Sequence, residues 1–249
     1  MSTLSPPVAL ITGATSGIGA ATAEVLASAG WALVLLGRRR DRLEDVSQSL
    51  VASHNAVIET CMVEQSDQVA FSASLERAAK LGTFRLVVLA AGHGRAYGDL
   101  LNSDPTLWPA VINDNLLATV QQVRSSVEAL IAKEKARIVV VGSVHSTAPA
   151  PSQAIYAAAK HGLRGFLDSV RAESSPAGFP GITLLDPGAT NTEFADVANG
   201  ISPPRVHSLD EWTNRPLTPD QVAAAVAWIT TVPDGVDVPS LTIIAQNGR

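Results

Sequence analysis

Val8-Ala9-Leu10-Ile11-Thr12-Gly13-Ala14-Thr15-Ser16-Gly17-Ile18-Gly19 carries an apolar run into a turn whose glycines are spaced Gly-x-x-x-Gly-x-Gly. An unbroken apolar run of this kind suits a strand buried on both faces. The alanine-rich stretch that begins near Gly17 suits a helix. Strand, tight turn and helix in that order form a nucleotide-phosphate site, because a helix N-terminus offers free N–H groups to an anion. Gly13 allows the sharp exit from the strand, and Gly17 and Gly19 let backbone come close to a pyrophosphate. Thr12, Thr15 and Ser16 add hydroxyl groups to the same turn.

Outward from this turn, short apolar runs alternate with helix-patterned segments. Strands are expected at Val8 to Thr12, Leu33 to Leu36, Val57 to Val63, Leu86 to Leu89, Ile138 to Val141, Ile182 to Leu185 and Leu241 to Ala245. Strands apolar on both faces and separated by crossover helices imply an α/β fold: a doubly wound (Rossmann) parallel sheet of about seven strands with helices on both faces. Such folds bind ligands at the carboxyl ends of their strands. One domain over residues 1–249 is expected, with a long irregular substrate loop at about 189–216.

The chain has 249 residues, 46% hydrophobic and 16% charged, with a net charge of -5, and these values bound the function. They suit one sizeable core and argue against a nucleic-acid binder, which normally carries a strongly basic face. Cys61 is the one cysteine, which excludes an internal disulfide and points to a reducing compartment, the cytoplasm by default. No apolar stretch approaches the length of a membrane helix, and Met1 to Pro7 has no basic segment leading into an apolar one. No metal-binding cluster is expected.

Two further groups carry chemistry. After the second expected strand comes Gly37-Arg38-Arg39-Arg40, where an NAD site would usually place an acidic residue on the ribose 2′-hydroxyl. Arginine there accepts a 2′-phosphate instead, so NADP(H) is favoured over NAD(H), with Arg38 as the principal residue and Arg39 as the second. The alternative is that these arginines only open a solvated helix beside Asp41, Glu44 and Asp45, which is the reading taken for Arg40 and Arg42.

Tyr156 and Lys160 lie one helical turn apart, downstream of Ser143. A cation within about 4–6 Å favours a phenolate, and a tyrosine brought toward the working pH becomes an effective proton donor or acceptor. Ser143, at the end of an expected strand, could hydrogen-bond the same substrate oxygen.

With these residues in view, the chain resembles the short-chain dehydrogenase/reductase family over almost its whole length. The resemblance rests on Thr12-Gly13-x-x-x-Gly17-x-Gly19, Ala91-Gly92, Asn115, Ser143, Tyr156, Lys160 and Pro187-Gly188-x-x-x-Thr192. It implies Tyr156 as acid/base, Ser143 as the group that orients the substrate carbonyl, and Asn115 as support for a proton relay. Lys160 would also bind the nicotinamide ribose. The implied cofactor set is Gly13, Thr15, Ser16, Gly17, Ile18, Gly19, Arg38, Arg39, Ala91, Gly92, Tyr156, Lys160, Pro187, Gly188, Thr190 and Thr192. The activity implied is hydride transfer between a nicotinamide and a substrate carbon, interconverting a carbonyl and a secondary alcohol. A non-catalytic NADP-binding regulator on the same fold, or an epimerase or dehydratase-type relative, is the alternative.

The pattern departs from the family at two places. Met62 stands where the third strand usually ends in an aspartate that meets adenine, and Ala90 replaces an asparagine before Ala91-Gly92. Each lost neutral hydrogen bond is worth about 0.5–1.5 kcal/mol, enough to weaken a cofactor without abolishing its binding. Substrate-side candidates are His93, Gly94, Arg95, Val144 to Thr147, Phe194, Val197 and Trp212, and the expected substrate is a small or medium carbonyl compound. Small residues at Ala154, Ala158, Gly162 and Gly165 allow another helix to approach, either within the subunit or from another copy. The resemblance implies a homodimer or homotetramer.

Overall fold

The structure is a computed structural model that describes residues 5–94, 96, 98–173, 178–194 and 215–246. Seven strands form one sheet: β1 (Pro7–Thr12), β2 (Ala32–Gly37), β3 (Ile58–Met62), β4 (Thr83–Leu89), β5 (Arg137–Val141), β6 (Gly181–Pro187) and β7 (Ser240–Ile243). Their order is β3-β2-β1-β4-β5-β6-β7, and every pairing is parallel. The expected doubly wound sheet is present, with all seven runs in place.

Parallel strands need crossovers, and helices supply them: α1 (Gly17–Ser28), α2 (Arg40–His54), α3 (Gln68–Leu81), α4 (Trp108–Ile112), α5 (Ala118–Leu130), α6 (Ala154–Ala172) and α7 (Pro219–Thr231). Successive strand residues point to opposite faces, so each strand feeds two cores. In β1, Val8 and Leu10 join Phe71, Leu75, Val123, Leu163 and Leu167 under α3, α5 and α6. Ala9 and Ile11 join Ala23, Leu26, Leu43, Leu50, Val222 and Val226 under α1, α2 and α7. Two apolar layers on one sheet explain why the strand sequences are continuously apolar rather than alternating.

The connection from β3 to β4 passes to the other side of β1, so the chain's direction across the sheet reverses between β1 and β4. Ligands of open α/β sheets bind at such a switch point, outside the strand carboxyl ends. There the Thr12 hydroxyl accepts hydrogen bonds from the backbone N–H groups of Ala90 and Ala91, both at 3.1 Å. Gly13, at φ +68°, lies so close that an added Cβ would sit 3.0 Å from Ala91 Cα. An L residue would meet both the left-handed backbone and that neighbour, which is the physical reason for glycine here.

Candidate active site

The glycine-rich turn ends in Ser16, the N-cap of α1, whose side chain makes no capping bond. Its hydroxyl instead accepts from Arg39 Nη2 at 2.8 Å, and the Thr15 hydroxyl accepts from the same nitrogen at 3.1 Å. Arg39 therefore lays its guanidinium against the loop at the N-terminus of α1, where backbone N–H groups already favour an anion. Arg38 points elsewhere, its Nη1 lying 3.8 Å from Glu64 across the end of β3. The structure thus brings Arg39, rather than Arg38, to the turn. Alternation at the strand end decides this, since neighbouring residues leaving β2 face opposite ways. Arg40 pairs with Glu44 one helical turn on, as a solvated helix start should.

Ser143 follows β5 and is the N-cap of a short 3-10 turn, Val144–Ser146. Its backbone N–H donates to Asp186 Oδ1 at 2.9 Å, and its hydroxyl accepts from the N–H of His145. Asp186, near the end of β6, is 1% exposed and also accepts from Ser146 Oγ at 2.7 Å. Arg164 of α6 completes the cluster as its ion-pair partner. This carboxylate joins β5, β6 and α6 at the point where Ser143 is presented. Sequence reasoning passed over Asp186; its signal was a lone acidic residue closing the apolar run Ile182 to Leu185.

Tyr156 and Lys160 share the buried face of α6. Lys160 Nζ donates to the backbone carbonyl of Val141 at 3.0 Å, tying α6 to the carboxyl end of β5, and lies 5.5 Å from the centre of the Tyr156 ring. Phe194 covers the ring from the other side, with centroids 5.4 Å apart, and Val111, Trp108 and Ile155 complete an apolar wall.

Burial pushes the Tyr156 phenol well above its ordinary range; a hydrogen bond from Ser143 opposes the shift and the Asp186 charge adds to it. Burial also brings the Lys160 ammonium down to about 8, against an upward pull from Asp186. The sequence expectation was a phenol lowered by its lysine. In this structure the desolvation of a nearly enclosed ring outweighs the Ser143 hydrogen bond, so the phenol stays protonated at neutral pH.

Asn115 lies in a π-helical turn, Asn113–Leu117, between α4 and α5. Its amide donates to the carbonyls of His93 at 2.8 Å and Val111 at 3.0 Å, and its side-chain oxygen accepts from His93 N–H. The helix is irregular at this point, and in the wider turn this side chain holds the strand-end loop. His93 is buried and its Nε2 lies 3.0 Å from Asp114 Oδ2, a second tie between that loop and the same turn.

After β6, Gly188 N–H donates to Ile243 O at 2.8 Å, Thr190 bridges to Leu217, and the Thr192 methyl packs over Gly17. Ala91 and Gly92 sit opposite the glycine-rich turn and Asn115 respectively. The turn, Arg39, Ser143, Tyr156, Lys160 and the segment of residues 187–194 therefore collect at the carboxyl edge of the sheet. Met62 is 58% exposed at the end of β3, on the rim of this edge. The candidates Arg95, Val197 and Trp212, and residues 195–214 of the expected loop, lie outside the described residues.

A family model described as "short chain dehydrogenase" matches residues 7–200. Sulfoacetaldehyde reductase of Chromohalobacter salexigens is 32% identical over 237 residues, covering 94% of this chain and 92% of the relative. Sulfoacetaldehyde reductase 2 of the same organism is 31% identical over 241 residues, covering 95% and 93%. An alcohol dehydrogenase from the archaeon Thermococcus sibiricus, complexed with 5-hydroxy-NADP, superposes with a TM-score of 0.83 at 25% identity over 98% of each chain. A short chain dehydrogenase/reductase from Burkholderia phymatum in complex with NAD gives a TM-score of 0.78 at 26% identity, covering 97% of this chain and 90% of that one.

Proposed function

Because this chain belongs to the short-chain dehydrogenase family, and is by that membership an oxidoreductase, we propose that it interconverts a carbonyl and a secondary alcohol on a small or medium substrate with NADP(H). The observation that carries this reading is the convergence of Ser143, Tyr156 and Lys160 beside a turn whose hydroxyls are already held by an arginine.

The residues at the turn fit a dinucleotide. Gly13 leaves room that a Cβ would fill, the first turn of α1 offers N–H groups, and Arg39 adds a cation in reach of the Thr15 and Ser16 hydroxyls. A guanidinium there supports NADP(H) over NAD(H), with Arg39 as the principal 2′-phosphate residue and Arg38 flanking it. Gly17, Ile18, Gly19, Ala91, Gly92, Pro187, Gly188, Thr190 and Thr192 would complete the binding surface. The exposed Met62 thioether suits packing on a flat apolar ring in place of the hydrogen bond that an aspartate would give. When bound, the nicotinamide supplies or accepts the hydride.

The chain's own residues handle the proton and the oxygen. Ser143 donates a hydrogen bond that orients the carbonyl. Tyr156, kept neutral by burial, is a proton donor to the oxygen as charge develops on it, and takes the proton back in the reverse direction. Lys160 holds the floor of the site through Val141 and would contact the nicotinamide ribose. Asn115 fixes the loop of His93 against α4 and α5, the role its hydrogen bonds support, from which a water relay would run. The apolar wall of Val111, Trp108 and Phe194 suits a compact substrate. The sulfoacetaldehyde reductases among its relatives are named for a small aldehyde.

Assembly as a homodimer or homotetramer belongs to the same proposal. Gly162 packs on Leu116 within the subunit, whereas Ala154, Ala158 and Gly165 of α6 face outward. Light scattering of the purified protein tests it. No helix among the described residues is long and apolar enough to cross a membrane.

The deciding experiment is calorimetric titration with NADPH and NADH in parallel, followed by turnover of a panel of small aldehydes and ketones. Tighter binding of NADPH with net dinucleotide consumption is expected. Binding of neither at millimolar concentration, or turnover without net consumption, would overturn the reading.

A further inference from the structure

Glu193 follows Thr192 directly and is 7% exposed. A carboxylate so enclosed must be compensated, and two cations compensate it. Its Oε2 accepts from Arg39 Nη1 at 2.8 Å, and its Oε1 lies 3.2 Å from Arg42 Nη1. Arg39 therefore divides its fork: Nη2 serves the Thr15 and Ser16 hydroxyls while Nη1 serves Glu193. Sequence reading had put Arg42 in a solvated helix start, and had given Glu193 no role; 154 residues separate it from Arg39.

We propose that Glu193 is a built-in competitor for the cofactor's 2′-phosphate, holding the guanidinium that the phosphate must take and so setting how strongly the site prefers NADP(H). This rests on Arg39 as the 2′-phosphate residue of the proposed function. A phosphate monoester carries about -1.5 to -2 charge at neutral pH and three acceptor oxygens, so it outbids a single carboxylate for a planar fork. Two anions on one guanidinium repel each other, and the Nη1 edge cannot serve both in full. Binding then includes loss or lengthening of the Arg39–Glu193 pair, with Arg42 left to hold the carboxylate. NADH carries no phosphate there and leaves the pair undisturbed. Glu193 thus lowers the affinity for NADPH selectively and narrows the gap between the two dinucleotides.

The test is calorimetric titration of wild type and E193Q with NADPH, NADH and adenosine 2′,5′-bisphosphate, which carries the 2′-phosphate without a nicotinamide. Glutamine keeps the shape and removes the charge. E193Q should bind NADPH and the bisphosphate about tenfold more tightly, the scale of relieving one like-charge contact, with NADH changed by less than about twofold. Adding R39A to E193Q should abolish the gain. An equal change for NADPH and NADH, or weaker NADPH binding by E193Q, would overturn the competition. E193A, checked for folding by its melting curve, should repeat the E193Q result. Where wild type binds NADPH and E193Q shows no gain, only the competition falls. If wild type and variant bind neither dinucleotide, the cofactor reading falls and this proposal with it.

Discussion

Replacing Asp186 by alanine removes the carboxylate that ties β5, β6 and α6 together at the site. The change leaves the Ser143 N–H, 2.9 Å away, with only a long 3.4 Å contact to Ser146 Oγ, and strands the Ser146 hydroxyl, 2.7 Å away, in a place where water has almost no access. A buried donor left without a partner costs about 1–3 kcal/mol, so two give about 2–6 kcal/mol. Arg164 also loses its anion. Its side chain keeps some contact with solvent (22% exposed), so that part is discounted. The two donors dominate, and the middle of that range, about 3–5 kcal/mol, is what is seen when one member of a buried pair is deleted. At about 2–4 °C per kcal/mol for a chain of this size, the melting temperature should drop by roughly 6–20 °C.

Asp186→Asn keeps an acceptor for Ser143 and Ser146 while losing the charge facing Arg164, and should lose less than half as much. The assay is thermal unfolding by far-ultraviolet circular dichroism, with turnover measured on the same samples below the transition. Turnover should fall in Asp186→Ala because Ser143 is no longer held in the place from which it is proposed to orient the substrate oxygen. An alanine variant melting within about 2 °C of wild type would refute the reasoning, since that corresponds to no more than about 1 kcal/mol. If asparagine is as damaging as alanine, the Arg164 pair outweighs the two stranded donors.

Tyr156→Phe should lower turnover at least about a hundredfold, the scale of a positioned acid or base, with dinucleotide affinity by calorimetry unchanged. Unaltered turnover would remove Tyr156 from the mechanism. Arg39→Ala should weaken NADPH far more than NADH, with a smaller selective loss for Arg38→Ala; equal losses for both dinucleotides would sink the 2′-phosphate assignment. Burial holds the Lys160 ammonium at about 8, below its ordinary 10.5. Between those values the unfolded chain binds more protons than the folded one, so stability from this residue rises with pH there, and at pH 7 the folded chain carries the burial cost in full. Lys160→Met should therefore have its largest advantage over wild type at pH 7 and lose it as pH climbs from 8 toward 10. A melting difference independent of pH would contradict that.

Most of the fold was legible because its determinants are local. Each strand is an apolar run a few residues long, glycines mark the turns after β1 and β2, and the order of elements requires crossovers that a doubly wound sheet satisfies. The edges were less legible. β4 starts at Thr83, three residues before the apolar run Leu86 to Leu89, because Thr83 and Phe84 pair with Pro7 and Val8 of β1. Hydrophobicity does not record a partner strand, so periodicity could not place that boundary.

By itself the sequence determined the strand runs and their order along the chain, the glycine-rich turn and the tyrosine and lysine on one helical face, all set by local spacings. Tertiary structure alone decided which arginine meets the turn, and what stands against it. Arg38 and Arg39 are chemically identical neighbours, and only the direction in which β2 ends sends one to Glu64 and the other to Thr15 and Ser16. It also decided that Asp186 braces Ser143 and that Glu193 meets Arg39 and Arg42. These pairs join residues far apart in the chain. Coulomb attraction and desolvation act on distance in space, which the sheet order sets and the linear pattern does not contain.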